Sequence, residues 1–136
     1  ANPLIEIIEG VYRLHAVSLP LADDETRFVR VLRAEEKRTD VNIAAHLLKD
    51  AFNHQADSFV LVSGDSDLTA PVAFVRKVAQ KPIAVYDPHP KQICRELKRY
   101  ASYYRQLDME SVQGKRLPEQ VILPSGATLF CPEHWH

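Results

Sequence analysis

Residues 58–68, Ser58-Phe59-Val60-Leu61-Val62-Ser63-Gly64-Asp65-Ser66-Asp67-Leu68, decide the reading of this chain. Phe59 to Val62 form a continuous apolar run of strand length, the signature of a parallel strand buried on both faces. Gly64-Asp65-Ser66-Asp67 then turns the chain into a helix predicted over Leu68 to Val78, with Pro71 tolerated in its first turn. A second buried strand, Ile83 to Tyr86, follows Lys81-Pro82, and a third helix is predicted over about 91–104, with Ile93, Leu97, Tyr100, Ala101 and Tyr104 as its inner stripe. Strands alternating with helices of this length predict an α/β fold, a parallel sheet flanked by helices.

Upstream, Val41, Ala44, Ala45, Leu47, Leu48, Ala51 and Phe52 recur at three- and four-residue spacing, so an amphipathic helix is predicted from Asp40. The first third reads as extended: Leu4 to Ile8, Val11 to Leu19, and Phe28 to Leu32, the last as a strand partly covered on both faces. The tail from Leu117 reads as irregular, with a hairpin around Pro124-Ser125-Gly126.

At 136 residues the expectation is one domain. No apolar run approaches the roughly 20 residues of a membrane span, and the N-terminal stretch lacks the basic flank of a signal peptide, so the expected setting is cytoplasmic, without a membrane partner. Cys94 and Cys131 are too few for a disulfide framework and read as free thiols. A net charge of −1 advertises no nucleic-acid partner globally, so that case rests on local clusters. Arg33, Lys37 and Arg38 form one; Lys91, Arg95, Lys98 and Arg99 form another, readable as a solvated helix face or as a phosphate-facing rim.

Chemistry concentrates where the strands end. In an open parallel sheet, ligands bind beyond the carboxyl ends of the strands, and Asp65 and Asp67 fall at that edge. Asp40, at the start of the preceding helix, can join them there. Clustered carboxylates repel one another unless a cation offsets the charge, and hard oxygens suit Mg²⁺ or Mn²⁺. Such a metal polarises a phosphoryl oxygen and acidifies a bound water, which fits phosphodiester hydrolysis. Each acid also has a purely structural reading: Asp40 and Asp67 as helix caps, Asp65 as the hardest to explain that way because it follows a buried strand. Asp87 ends the second strand on the same edge, with His89 two residues on; His89 reads as a phosphate contact, as a stabiliser of a leaving group, or as a turn residue in Asp-Pro-His-Pro. Tyr103 and Trp135 could stack on bases. Cys131, His134 and His136 lack the paired spacing of a zinc site.

Two segments carry a family resemblance: Glu35-Glu36-Lys37-Arg38-Thr39-Asp40-Val41-Asn42-Ile43-Ala44, and Val60 through Leu68. They resemble the signature segments of NYN domains, the LabA-like branch of the PIN-like nucleases. The likeness continues through Lys81 to Val85, Pro88-His89, and Pro132 and Trp135. It implies a three-layer PIN-like fold and a Mg²⁺- or Mn²⁺-dependent ribonuclease acting on single-stranded RNA. By that likeness Asp40, Asp65 and Asp67 match the catalytic metal-site acids, and Ser63, Lys37, Arg38 and His89 become substrate-binding candidates. At Arg38 relatives usually carry Gly. The family's opening strand with its Asp-Gly-x-Asn ligand has no counterpart here; Glu9-Gly10 is the alternative stand-in. The expectation is therefore an N-terminally truncated domain with Ala1-Asn2 as a cloning remnant, an exposed sheet edge and possible pairing into a homodimer. The competing expectations are a non-catalytic module binding nucleic acid, nucleotide or protein, and a phosphotransferase with an Asp nucleophile.

Overall fold

The structure, a computed structural model, describes residues 4–89, 91–113, 115 and 118–133. His134, Trp135 and His136, and with them the stacking and zinc readings of the tail, lie outside the described residues. The chain divides into two compact units, Ile7–Asp57 and a second comprising residues 58–133 with residues 4–6.

In the first unit, β1 (Val11–Pro20) and β2 (Phe28–Lys37) form an antiparallel ribbon pairing Val11 with Lys37 and Pro20 with Phe28. Between them, Asp24 Oδ1 accepts the Thr26 N–H and hydroxyl at 3.0 and 2.6 Å, an Asx-type turn that reverses the chain. The expected two-sided cover of the second strand is not found: Phe28 and Leu32 are exposed, since a two-stranded ribbon has no layer of its own to pack against. Residues 5–10 form no strand either.

Helix α1 (Thr39–Phe52) starts one residue before Asp40. Its N-cap is Arg38, in the left-handed region at φ 83°, and the cap makes no side-chain bond. Glu36 instead takes both the Thr39 N–H, at 3.2 Å, and its hydroxyl. Asp40 is thus an exposed first-turn acid, well placed for the helix dipole but not the cap expected of it. Of the predicted stripe, Ala51 is fully buried and Ala44, Leu47 and Leu48 are half-buried, whereas Val41, Ala45 and Phe52 are exposed.

The second unit holds the parallel sheet. β3 (Phe59–Val62), β4 (Ile83–Asp87) and β5 (Tyr103–Gln106) run in that order, with Phe59 beside Ile83 and Asp87 beside Gln106. A 3-10 turn over Ser66–Leu68 leads into α2 (Thr69–Lys77), with Pro71 in its first turn. α3 is short, Arg95–Tyr100, because the chain leaves the helix at Ala101 and enters β5. Tyr103 and Tyr104 therefore belong to a strand, not to the long helix the sequence predicted. Their aromatic rings and the alternation of Tyr103 to Gln106 suit a strand. α4 (Met109–Gln113) follows, and β6 (Gln120–Ile122) and β7 (Thr128–Phe130) form the expected hairpin, turned at Gly126 with φ 82°.

One face of the sheet forms the core: Leu61, Ile83 and Val85 with Leu68, Val72, Val75 and Leu97 are buried beneath α2 and α3. Arg76 ties those helices together, donating from Nη1 to the Tyr100 and Ala101 carbonyls at 3.1 and 2.7 Å, which would otherwise go unsatisfied at the helix end. On the opposite face, Val60 and Val62 are exposed. No helix among the described residues is long and apolar enough to cross a membrane.

Candidate active site

The carboxyl edge of the parallel sheet is built from three side-chain-to-backbone turns. Ser63 Oγ accepts the Asp65 N–H at 3.1 Å, and Asp65 Oδ1 accepts the Asp67 N–H at 2.9 Å. After β4, Asp87 Oδ1 accepts the His89 N–H at 2.9 Å. Each polar side chain thus satisfies a backbone donor that the strand end leaves unpaired. Ser63 is thereby committed to shaping the turn. Asp65, not Asp67, is the cap of the following turn; Asp67 lies inside that turn and is exposed.

Gly64 is where the two turns meet. A Cβ on it would come within 2.2 Å of His89 Nδ1 and 2.3 Å of Asp87 Oδ1, so only glycine lets the β3 and β4 ends approach this closely. Gly64, Asp65, Ser66, His89, Gln92 and Cys94 line a cleft of 380 Å³ at this edge.

Beneath the cleft lies a residue that sequence reasoning ranked behind the others. Asp87 is completely buried. Its Oδ1 also meets His89 Nδ1 at 3.0 Å, while Oδ2 accepts the Tyr104 hydroxyl and, at 3.5 Å, the Cys94 N–H. Cys94 N–H donates to the Tyr104 oxygen as well, at 3.2 Å. Burial pushes the Asp87 carboxyl up, but the bonds from Tyr104, the His89 N–H, the His89 ring and Cys94 outweigh it and hold the carboxyl below its ordinary value. Tyr104 moves the other way: burial, and then its bond to Asp87, push the phenol up to about 12. The edge therefore holds an ionised carboxylate with no direct access to water. The Gln106 side chain secures the loop by donating to the His89 carbonyl at 2.7 Å.

Asp87 was legible as a strand-end acid; its partnership with Tyr104 was not, because it depends on β5. The remaining candidates, Lys37, Arg38 and Asp40, belong to the first unit and are exposed. Lys37 Nζ is engaged by Glu35 Oε2 at 3.1 Å. Among the described residues, no three His, Cys, Asp or Glu side chains gather so as to hold a metal ion. The donor chemistry still fits a hard cation. Asp65 brings carboxylate oxygen to the cleft, only its Oδ1 is taken by the turn, and one or two carboxylates with waters and substrate phosphate suffice for Mg²⁺.

Comparison with known proteins shows what the chain is similar to. The family model described as NYN domain matches residues 9–108. A curated protein from Pseudomonas putida (strain DSM 28022 / S16), 6-hydroxy-3-succinoylpyridine 3-monooxygenase HspA, is 26% identical over 144 residues, covering 97% of this chain and 46% of that protein. The chain thus spans about half the length of the curated relative it matches. A crystal structure of a protein of unknown function from Vibrio parahaemolyticus RIMD 2210633 is similar with a TM-score of 0.48 and 26% identity, over 54% of this chain and 43% of that one.

Proposed function

The chain belongs to the NYN domain family, within the nuclease-like PIN superfamily, and on that premise we propose that it hydrolyses phosphodiester bonds in single-stranded RNA with the aid of Mg²⁺ or Mn²⁺. The observation that carries this reading is the position of Asp65: a half-buried carboxylate just beyond the carboxyl end of a parallel strand, lining a cleft shared with His89 and Cys94, both of which bond the buried Asp87.

Asp65 would hold the metal with waters and substrate phosphate; Asp67 and Asp40 match the family's acidic segments. When bound, the metal would supply charge neutralisation at the phosphoryl oxygens and a more acidic water. The chain's own residues do the rest. Ser63 fixes the turn that presents Asp65, Gly64 keeps the approach to the cleft open, and the exposed cations Lys37 and Arg38 attract the RNA backbone. This activity belongs to a cytoplasmic protein, where RNA and Mg²⁺ are both abundant. The monooxygenase activity in the name of the Pseudomonas relative is that protein's own.

A labelled single-stranded RNA, incubated with the protein and Mn²⁺ or Mg²⁺, is expected to be cut, and Asp65→Asn to abolish the cutting. Cleavage that persists in EDTA, or in Asp65→Asn, sinks the proposal, as would turnover of 6-hydroxy-3-succinoylpyridine in place of RNA. A second reading, a module that binds RNA without cleaving it, is favoured by the commitment of Asp65 Oδ1 to the Asp67 N–H within the turn. It predicts RNA retention without product in any divalent metal.

A further inference from the structure

We infer that His89 is the proton-transferring residue of this cleft and that Asp87 and Tyr104 are positioning residues that fix its ring; the inference rests on the phosphodiesterase reading above. The three side chains form a line from the core to the cleft. Tyr104 hydroxyl donates to Asp87 Oδ2, Asp87 Oδ1 meets His89 Nδ1 at 3.0 Å, and His89 lines the cleft.

The contrast in burial is what a purely structural role leaves unexplained. A carboxylate needed only to close the loop after β4 is already served by the His89 and Cys94 N–H groups and the Tyr104 hydroxyl. The imidazole is an additional partner, and its side chain is 62% exposed while that of Asp87 is 0% exposed. A ring used for packing would be buried with its partner; this one is anchored at one nitrogen and left open to solvent.

The anchoring determines the tautomer. An ionised carboxylate only accepts, so Nδ1 must carry the hydrogen and Nε2 of the neutral ring keeps the lone pair. Asp87 thereby holds the ring in this tautomer and orientation, the positioning role that the carboxylate plays in serine hydrolase triads. Close packing of the ring against Gly64 places it next in space to the turn that carries Asp65.

The step balances as follows. A water oxygen bonds to phosphorus while Nε2 accepts one of the water's protons. The bond from phosphorus to the leaving ribose oxygen breaks, with its electron pair on that oxygen, which takes a proton from solvent. The imidazolium returns its proton to solvent, so one water is consumed and the ring is restored.

The test uses the full chain and the variants His89→Ala, His89→Gln, Asp87→Asn and Tyr104→Phe, each checked for an unchanged far-ultraviolet spectrum and a cooperative thermal transition. With single-stranded RNA and Mn²⁺, His89→Ala is expected to lower kcat about 10²- to 10³-fold with little change in KM, and added imidazole to restore part of the loss. Wild-type kcat in His89→Ala, or a loss confined to KM, overturns the inference while leaving the nuclease reading intact. Nitrogen-resolved magnetic resonance of the histidine side chains supplies a readout independent of cleavage. His89 is expected as the Nδ1–H tautomer, shifting toward Nε2–H in Asp87→Asn, with its resonances moving on titration with inorganic phosphate. Should the wild type cut no RNA, the nuclease reading falls; a ring that is not Nδ1-protonated, or is unmoved by phosphate, overturns the inference in either case.

Discussion

The ring of His89 meets the carboxylate of Asp87 at 3.0 Å, Nδ1 to Oδ1, and the two side chains differ in exposure across that contact: more than half of the imidazole side chain is open, none of the carboxylate is. That relationship makes Asp87 the structural centre of the carboxyl edge, and stability and chemistry are expected to respond to it together.

Acid stability follows from the depressed carboxyl of Asp87. A group that is more acidic folded than unfolded binds fewer protons in the native state. Its stabilisation is therefore present above the unfolded value, about pH 3.9, and is lost as pH falls through the lower folded value. Urea unfolding at stepped pH is expected to show wild-type stability dropping below about pH 4. Asp87→Asn should begin about 2 kcal/mol less stable at neutral pH and lose less on acidification. An identical acid slope in the variant would disprove the assignment.

Alkaline behaviour follows from Tyr104, whose phenol is pushed up to about 12 by burial and by its bond to Asp87. The raised value means that the folded state holds the proton longer. Its stabilisation is complete below the unfolded value of about 10 and disappears as pH rises from there toward about 12. Phenolate absorbance should contain one late component that Tyr104→Phe removes, together with part of the alkaline loss of stability.

Gly64→Ala tests the close approach of the strand ends. The new methyl would meet His89 Nδ1 and Asp87 Oδ1 at 2.2 and 2.3 Å, so the loop after β4 must move. We expect a loss of about 1–3 kcal/mol in chemical denaturation and a collapse of RNA cleavage. Wild-type values for both would show that the approach is not required.

Arg38→Gly probes the other unit. A non-glycine residue at φ 83° is strained, and relief of that strain offsets the greater chain entropy of glycine. The variant is expected to be about 0.5–1 kcal/mol more stable in thermal unfolding, with the N-terminus of α1 intact by circular dichroism. Equal or lower stability would mean that the arginine side chain contributes more than its backbone costs.

The sequence by itself determined the periods. The apolar runs at Phe59–Val62 and Ile83–Tyr86 and the three-and-four spacing after Asp40 named two parallel strands and a helix, because strand and helix leave different periods in the chain; the two-sided burial expected of the first run is not found, since Val60 and Val62 are exposed. Gly64, Asp65 and Asp67 were legible for a related reason: a small residue and short acids at a strand end are what a tight turn into a helix demands. The left-handed backbone at Arg38 agrees with the glycine that the resemblance expects there.

Only the tertiary structure decided that β5 exists and what it brings. Tyr100 and Tyr104 share a helical spacing, and a local pattern reads them as one stripe; the break at Ala101 sends Tyr103 and Tyr104 into the sheet instead, where pairing with Ala84 and Val85 outweighs helix continuation. That pairing sets the Tyr104 hydroxyl on Asp87, residues 17 apart in sequence. The roles of the acids were settled the same way, Asp65 as the cap and Asp87 as the buried charge. Burial is a property of neighbours that no window along the chain contains, and the carboxylate that most needs partners is the one whose partners the fold supplies.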